Sequence, residues 1–229
     1  MSLGSLEDGS HELSVYGRLG ENADAARVLF EGRRVSVDAQ TDAVVVDEPC
    51  TGEMLWVPGG TFLMGSTDGS ENSRPPHAVT LSPYCMDRTE VTVRDYGTCV
   101  RLGSCSAASA TVNDSALSAA DHRFWSRFCK GARENGPEDP INCVDWNQAR
   151  AYCAWVGKRL PTEKEWEFAA RGPWPSRKYP WGDKEPNSTL ACWNRWDGTC
   201  PVGSHPAGRT PEFEAVQDLA GNVWEWTED

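Results

Sequence analysis

The sequence predicts an α+β fold of low regular secondary structure, in which short helices and strands are joined by many loops. Three observations carry that prediction. Tryptophan dominates the aromatic residues, with 11 Trp against 6 Phe and 5 Tyr. Glycine and proline, 21 and 15 residues, interrupt long periodic elements. Only three segments combine helical periodicity with capping residues. Irregular chain is then pinned by large aromatic plates, and a helical bundle is disfavoured.

At 229 residues the chain holds one large domain or two small ones. Residues 1–50 contain no Trp and begin polar, then show the alternating stretches "RVSVDAQ" and "AVVVDE". They read as a flexible tail followed by a small hairpin. The main domain, 51–229, opens at "MLWVPGGTFLMGS", where Gly59, Gly60 and Gly65 break a β-type pattern.

The three helices follow in order. In "TVRDYGTCVRLG" Thr92 is the N-cap, Val93, Tyr96 and Val100 share a face, and Gly103 is the stop. In "DWNQARAYCAWVGKRLP" Asp145 caps, Ala149, Cys153 and Val156 form a stripe expected to bury Cys153, and Gly157 ends the helix. In "PTEKEWEFAARG" Thr162 and Glu165 have capping-box spacing, Trp166, Ala169 and Ala170 point inward, and Gly172 follows. The Ser/Ala-rich "GSCSAASATVNDSALSAADHRFW" reads as a surface insertion. After Gly172 periodicity disappears into turn residues and Trp, a length of loop that only disulfides or ions would order.

The formal charge of −12, with no block of basic residues, disfavours nucleic-acid binding. No run approaches the ~18 apolar residues of a membrane span, and the N-terminus has neither a basic nor an apolar signal region. Nine cysteines without a C-x-x-C pair nevertheless point to disulfides and an oxidising compartment. A secreted or periplasmic protein is expected, its leader lying outside this chain. Short separations in loop-rich stretches predict Cys192 with Cys200 and Cys99 with Cys105; Cys129 with Cys143 and Cys50 with Cys85 complete the expected set.

The succession "GGTFLMGS", "RTEVTVRDY", "WNQARAYCAWVGKRLPTEKEWEFAARG", "YPWGD" and "DLAGNVWEW" resembles the sulfatase-modifying factor family, the formylglycine-generating enzymes, over about residues 53–229. The resemblance implies a C-type-lectin-like topology with bound calcium. It also implies an activity, the oxidation of a cysteine in an unfolded or extended protein substrate to formylglycine by dioxygen and copper. Copper is held in the family by two thiolates, soft ligands suited to Cu(I). Those cysteines lie downstream of the tryptophan-rich motif, in a segment without counterpart in residues 1–229. The chain is therefore expected to stop inside the family domain, to lack a catalytic cysteine, and to leave Cys153 unpaired, since the family partner of Cys153 lies in the same segment.

By position, the resemblance assigns calcium to Asp218 and Glu225 through side-chain oxygens and to Gly221 and Val223 through carbonyls. Calcium takes 6–8 hard oxygens, and a glycine-bearing turn between two acids offers both kinds. The competing reading is an aromatic corner, with Trp224 and Trp226 in the core and Glu225 solvated. A second calcium site would fall in "LACWNRWDGTC", where Asp197 and the backbone near Trp193 and Thr199 are the remaining donors, against a simple Cys192–Cys200 staple. The histidines at 11, 77, 122 and 205 are scattered. Arg159, Glu163, Glu165 and Arg171 sit beside helix ends, where capping and ion pairing are expected. Trp146, Trp155, Trp166 and Trp181 are expected as core plates. Two functions follow: a protein-modifying oxidase by family, inactive as this chain, or a non-catalytic lectin-like module binding peptide or glycan.

Overall fold

The computed structural model describes residues 2–5, 11–14, 28–30, 33–37, 44–47, and 50–229 apart from 68, 70, 113–115, 130–135, 174–176, 196–197 and 212–215. The chain divides into two compact units, Met1–Pro49 and Cys50–Asp229.

In the first unit β1 (Ser2–Ser5) pairs antiparallel with β2 (His11–Ser14). A three-stranded antiparallel sheet follows, with β4 (Arg33–Val37) between β3 (Val28–Phe30) and β5 (Val44–Asp47). The register sets Val35 opposite Val28 on one side and Val46 on the other. The expected small hairpin is present as β4 and β5, and β1, β2 and β3 are further strands where a tail was expected. The valine-rich runs do pair, as β4 and β5, because β-branched residues favour extended backbone. The third strand and the polar β1–β2 pair are held by backbone pairing, which leaves little mark on a hydropathy pattern.

The second unit begins with two strand pairs. β6 (Met54–Val57) lies antiparallel to β9 (Tyr84–Asp87), and β7 (Gly60–Met64) to β8 (His77–Leu81). Cys50–Cys85 fastens the chain before β6 to β9. The crossing from β6 to β7 needs glycine at 59. Its φ is +70°, and a Cβ there would stand 2.5 Å from the Leu81 carbonyl oxygen.

The helices start where their caps predict. Thr92 accepts from the Asp95 amide at 3.1 Å and opens α1 (Val93–Arg101). Asp145 and Gln148 form a full capping box at α3 (Trp146–Trp155), and Thr162 and Glu165 another at α4 (Glu163–Arg171). α4 supplies the core: Phe168, Ala169 and Ala170 pack with Val57, Phe62, Tyr84, Met86, Val216 and Leu219. The Phe168 ring meets Phe62 edge-on, centroids 5.3 Å apart. A second cluster joins α1 to α3, where Tyr96 stacks on Tyr152 at 5.6 Å over buried Cys99.

Three expectations change. The Ser/Ala-rich stretch contains α2 (Ala119–Ser126), capped by Ser118, whose hydroxyl accepts from the Asp121 amide at 3.2 Å. The α3 stripe is also shifted. Tyr152 is its buried residue, Cys153 is half-buried on the wall of a cavity of about 700 Å³ that Ala149 also lines, and Val156 is 37% exposed. Trp155 is exposed, not a core plate. By contrast, Arg159 makes a two-pronged ion pair with Glu165, both contacts 2.7 Å, and Arg171 binds Glu167 and the Gly65 carbonyl. Both arginines tie structure together.

After α4 the described residues are loop apart from one 3-10 turn at Pro206–Gly208. Cys192–Cys200, a Tyr179–Trp181 stack at 5.2 Å and the Trp181 indole N–H donating to the Lys184 carbonyl at 2.8 Å hold it. Cys99–Cys105 and Cys129–Cys143 complete four bridges, the pairings expected from the sequence, and Cys153 carries the free thiol. Four bridges suit an oxidising environment. Among the described residues no helix is long and apolar enough to cross a membrane.

Candidate functional site

The turn at 218–225 is built from left-handed backbone. Asp218 and Asn222 have φ of 60° and 54°, and Gly221 of 104°. Asn, Asp and Gly are the residues that tolerate this region, which is why the sequence D-L-A-G-N can close so tightly. The turn is tied at its entrance by the Gln217 amide donating to the Arg88 carbonyl at 2.8 Å. Asp218, 8% exposed, accepts from the Gly203 amide at 2.5 Å through Oδ2. Asn222 spans the ends of the Cys192–Cys200 loop. Its amide donates to the Cys192 carbonyl at 2.9 Å, and its side chain accepts from the Cys200 amide at 3.0 Å and donates to the Cys200 carbonyl at 3.3 Å.

Carboxylates crowd this turn. Burial pushes Glu225 up to about 7, with Asp218 adding repulsion. A third acid, Glu90, follows β9 in the chain. Both its carboxylate oxygens are buried without a hydrogen-bond partner. Burial first, then Asp218 and Glu225, push it up to about 9.

The expected calcium ligands are thus two carboxylates on one short turn. The carbonyls of Gly221 and Val223 accept no hydrogen bond among the described residues. An oxygen-only donor set beside an orphaned buried carboxylate fits a hard divalent cation, whose charge would relieve the repulsion. No three His, Cys, Asp or Glu side chains among the described residues close on one point, so Glu90 acts here as a neighbouring charge. The aromatic-corner reading does not hold: Trp224 is fully exposed and Trp226 is 47% exposed. Trp226 is instead an anchor, its indole N–H donating to the Val144 carbonyl at 2.9 Å, while Trp146 donates to the Thr227 carbonyl at 2.8 Å.

Asp197 lies outside the described residues. Around it, Cys192 is committed to its bridge, and the Thr199 hydroxyl donates to Asp139 at 3.2 Å.

The residues present do not fit copper. Eight cysteines are in disulfides, and the ninth, Cys153, has its thiol pushed up to about 11, by burial first and then by Asp87, against Lys158. A two-thiolate site cannot be drawn from these residues. Cys153 borders the 700 Å³ cavity, whose walls include Tyr84, Met86, Tyr152, Val223 and Trp224.

Sequence reasoning missed Glu90 and Asn222. Asn222 had a signal, since Gly-Asn in a turn invites left-handed backbone. Glu90 sits in an unremarkable "RTEVT", and only folding brings it to the turn.

Residues 41–229 match the model of the sulfatase-modifying factor enzyme 1-like domain. The chain belongs to this family. Within it, the chain is 38% identical to "Inactive C-alpha-formylglycine-generating enzyme 2" of Bos taurus, over 77% of this chain and 70% of that protein. It is 35% identical to the "Formylglycine-generating enzyme" of Streptomyces coelicolor, over 76% of this chain and 67% of the relative. A crystal structure of CarF is 22% identical, with a TM-score of 0.46, covering 76% of this chain and 79% of that one. The sulfatase-modifying factor domain of this chain therefore has both a catalytic and an inactive relative at comparable identity.

Proposed function

We propose that residues 50–229 are a formylglycine-generating-type scaffold, C-type-lectin-like in topology and stabilised by calcium, that does not itself oxidise cysteine. The observation that carries this reading is the state of the nine cysteines: eight in bridges and one half-buried thiol pushed up to about 11. Copper-dependent oxidation needs two thiolates on one soft ion, and these residues offer none at neutral pH. The likeness to an inactive relative agrees with this. Calcium would be held by Asp218, Glu225 and the carbonyls of Gly221 and Val223, and would supply charge neutralisation within a turn that carries little regular structure. The protein is assigned to a secreted or periplasmic location on the strength of its bridges.

The partner in this reading is an extended or unfolded polypeptide, as the family implies. A specific observation favours binding without chemistry: the cavity of about 700 Å³ has a mixed wall, apolar at Met86, Tyr152, Leu219 and Val223 and charged at Asp87, Lys158, Arg159 and Glu225, and Trp224 at its edge is fully exposed.

The test uses the 229-residue chain with copper, dioxygen, a reductant and a peptide bearing the sulfatase cysteine motif, read by mass spectrometry. The expected result is no conversion of the peptide cysteine and no stoichiometric Cu(I) uptake against a competing chelator. Turnover comparable to a complete family member would overturn the reading.

A further inference from the structure

We infer that Asn222 and the loop closed by Cys192–Cys200 are the positioning device of the cation turn, so that affinity depends on a bridge that supplies no ligand. This rests on the calcium reading above. Asn222 stands between Gly221 and Val223, the two residues whose carbonyls the calcium reading assigns to the cation. Its three hydrogen bonds, at 2.9, 3.0 and 3.3 Å, all end on Cys192 and Cys200. Those two residues are 8 apart in sequence and covalently joined, so one side chain and one amide engage both ends of a closed ring. The ring ends form a firm platform, with Ala191, Cys192 and Cys200 at 3%, 8% and 3% exposure.

Two further contacts bind the turn to the same segment. A Cβ on Gly221 would stand 2.8 Å from the Cys192 carbonyl oxygen and 3.2 Å from the Ala191 Cβ, so the turn backbone lies directly on the platform. Asp218 is fixed through the Gly203 amide, just beyond Cys200. With φ of 54°, Asn222 occupies the left-handed region that asparagine tolerates better than most residues, and its three hydrogen bonds hold it there. Opening the ring would let Cys192 and Cys200 separate, and Asn222 could no longer satisfy both. The turn that carries the two neighbouring carbonyls and the Asp218 carboxylate would lose its hold on the bridge, while every atom assigned to the cation remained in the chain.

Three variants of the full chain separate this from plain instability: Asn222→Gly, the pair Cys192→Ser with Cys200→Ser, and all three together. Glycine keeps the left-handed backbone and removes only the side-chain clamp. Cation binding is read with terbium as a calcium surrogate, through emission sensitised by Trp224 and Trp226, and by calcium competition. Metal-free amide exchange at Gly203 reports the hold on Asp218 without any cation. The expected result is a Kd weakened about tenfold by Asn222→Gly and by the serine pair, no further loss in the combination, and faster exchange at Gly203 in each. Wild-type binding with unchanged affinity in Asn222→Gly, or additive losses in the combination, overturns the clamp. A wild-type chain that binds neither ion overturns the calcium reading, and the inference with it. Should the serine pair not fold, Asn222→Gly decides alone.

Discussion

Replacing Glu165 by Gln isolates one electrostatic contribution to the stability of this domain. Glu165 is 9% exposed, and its carboxylate makes three contacts with two partners: Arg159 through both terminal guanidinium nitrogens at 2.7 Å, and the Thr162 amide at 2.9 Å. Burial alone would raise its pKa. The Arg159 hydrogen bonds and those of Thr162 overcome burial and bring it from 4.5 down to about 2. A depressed carboxylate stabilises the fold above its unfolded pKa and loses that contribution as pH falls through the folded pKa. The window is thus pH 4.5 down to about 2. The shift corresponds to roughly 3 kcal/mol. Arg159, however, is 59% exposed, and screening by water lowers the expectation to about 2 kcal/mol. Glutamine keeps an oxygen to accept from the Thr162 amide and one Arg159 N–H, so the α4 cap survives, while the charge and the second acceptor for Arg159 are removed. Urea unfolding of wild type and Glu165→Gln, both fully oxidised, is compared between pH 6 and pH 2. The wild type should be more stable by about 2 kcal/mol at pH 6, with the gap closing towards zero near pH 2. A gap that is constant with pH, or that widens on acidification, would refute the assignment of this stability to the Arg159 pair.

Two further outcomes are expected. Gly208→Ala should lower stability by at least about 2 kcal/mol in thermal unfolding, because its Cβ would fall 1.7 Å from the Leu190 carbonyl oxygen. Cys153 should react with iodoacetamide at pH 7.5 more than about a hundred times slower than an exposed peptide thiol, with one label per chain appearing only in denaturant. The cause is its thiol pKa of about 11.

The sequence by itself determined what depends on neighbours along the chain. Thr92, Asp145 and Thr162 opened their helices where capping chemistry placed them, since a cap and the amide it accepts lie three residues apart. The short-range bridges Cys99–Cys105 and Cys192–Cys200 were legible for the same reason. The family was legible because its motifs are specific strings of residues. Asp218 and Glu225 came with them as a pair on one turn. Tertiary structure decided the rest. Glu90 reaches the turn from beyond β9, over a hundred residues upstream, and nothing in its local sequence marks a buried acid. The hold of Asn222 on Cys192 and Cys200 depends on two loops meeting. The α3 stripe read as core became the wall of a cavity, because an amphipathic face states that it avoids water but not what lies opposite it. Local hydrogen bonds are written into adjacent residues, whereas burial and charge repulsion are properties of the space that distant residues come to share.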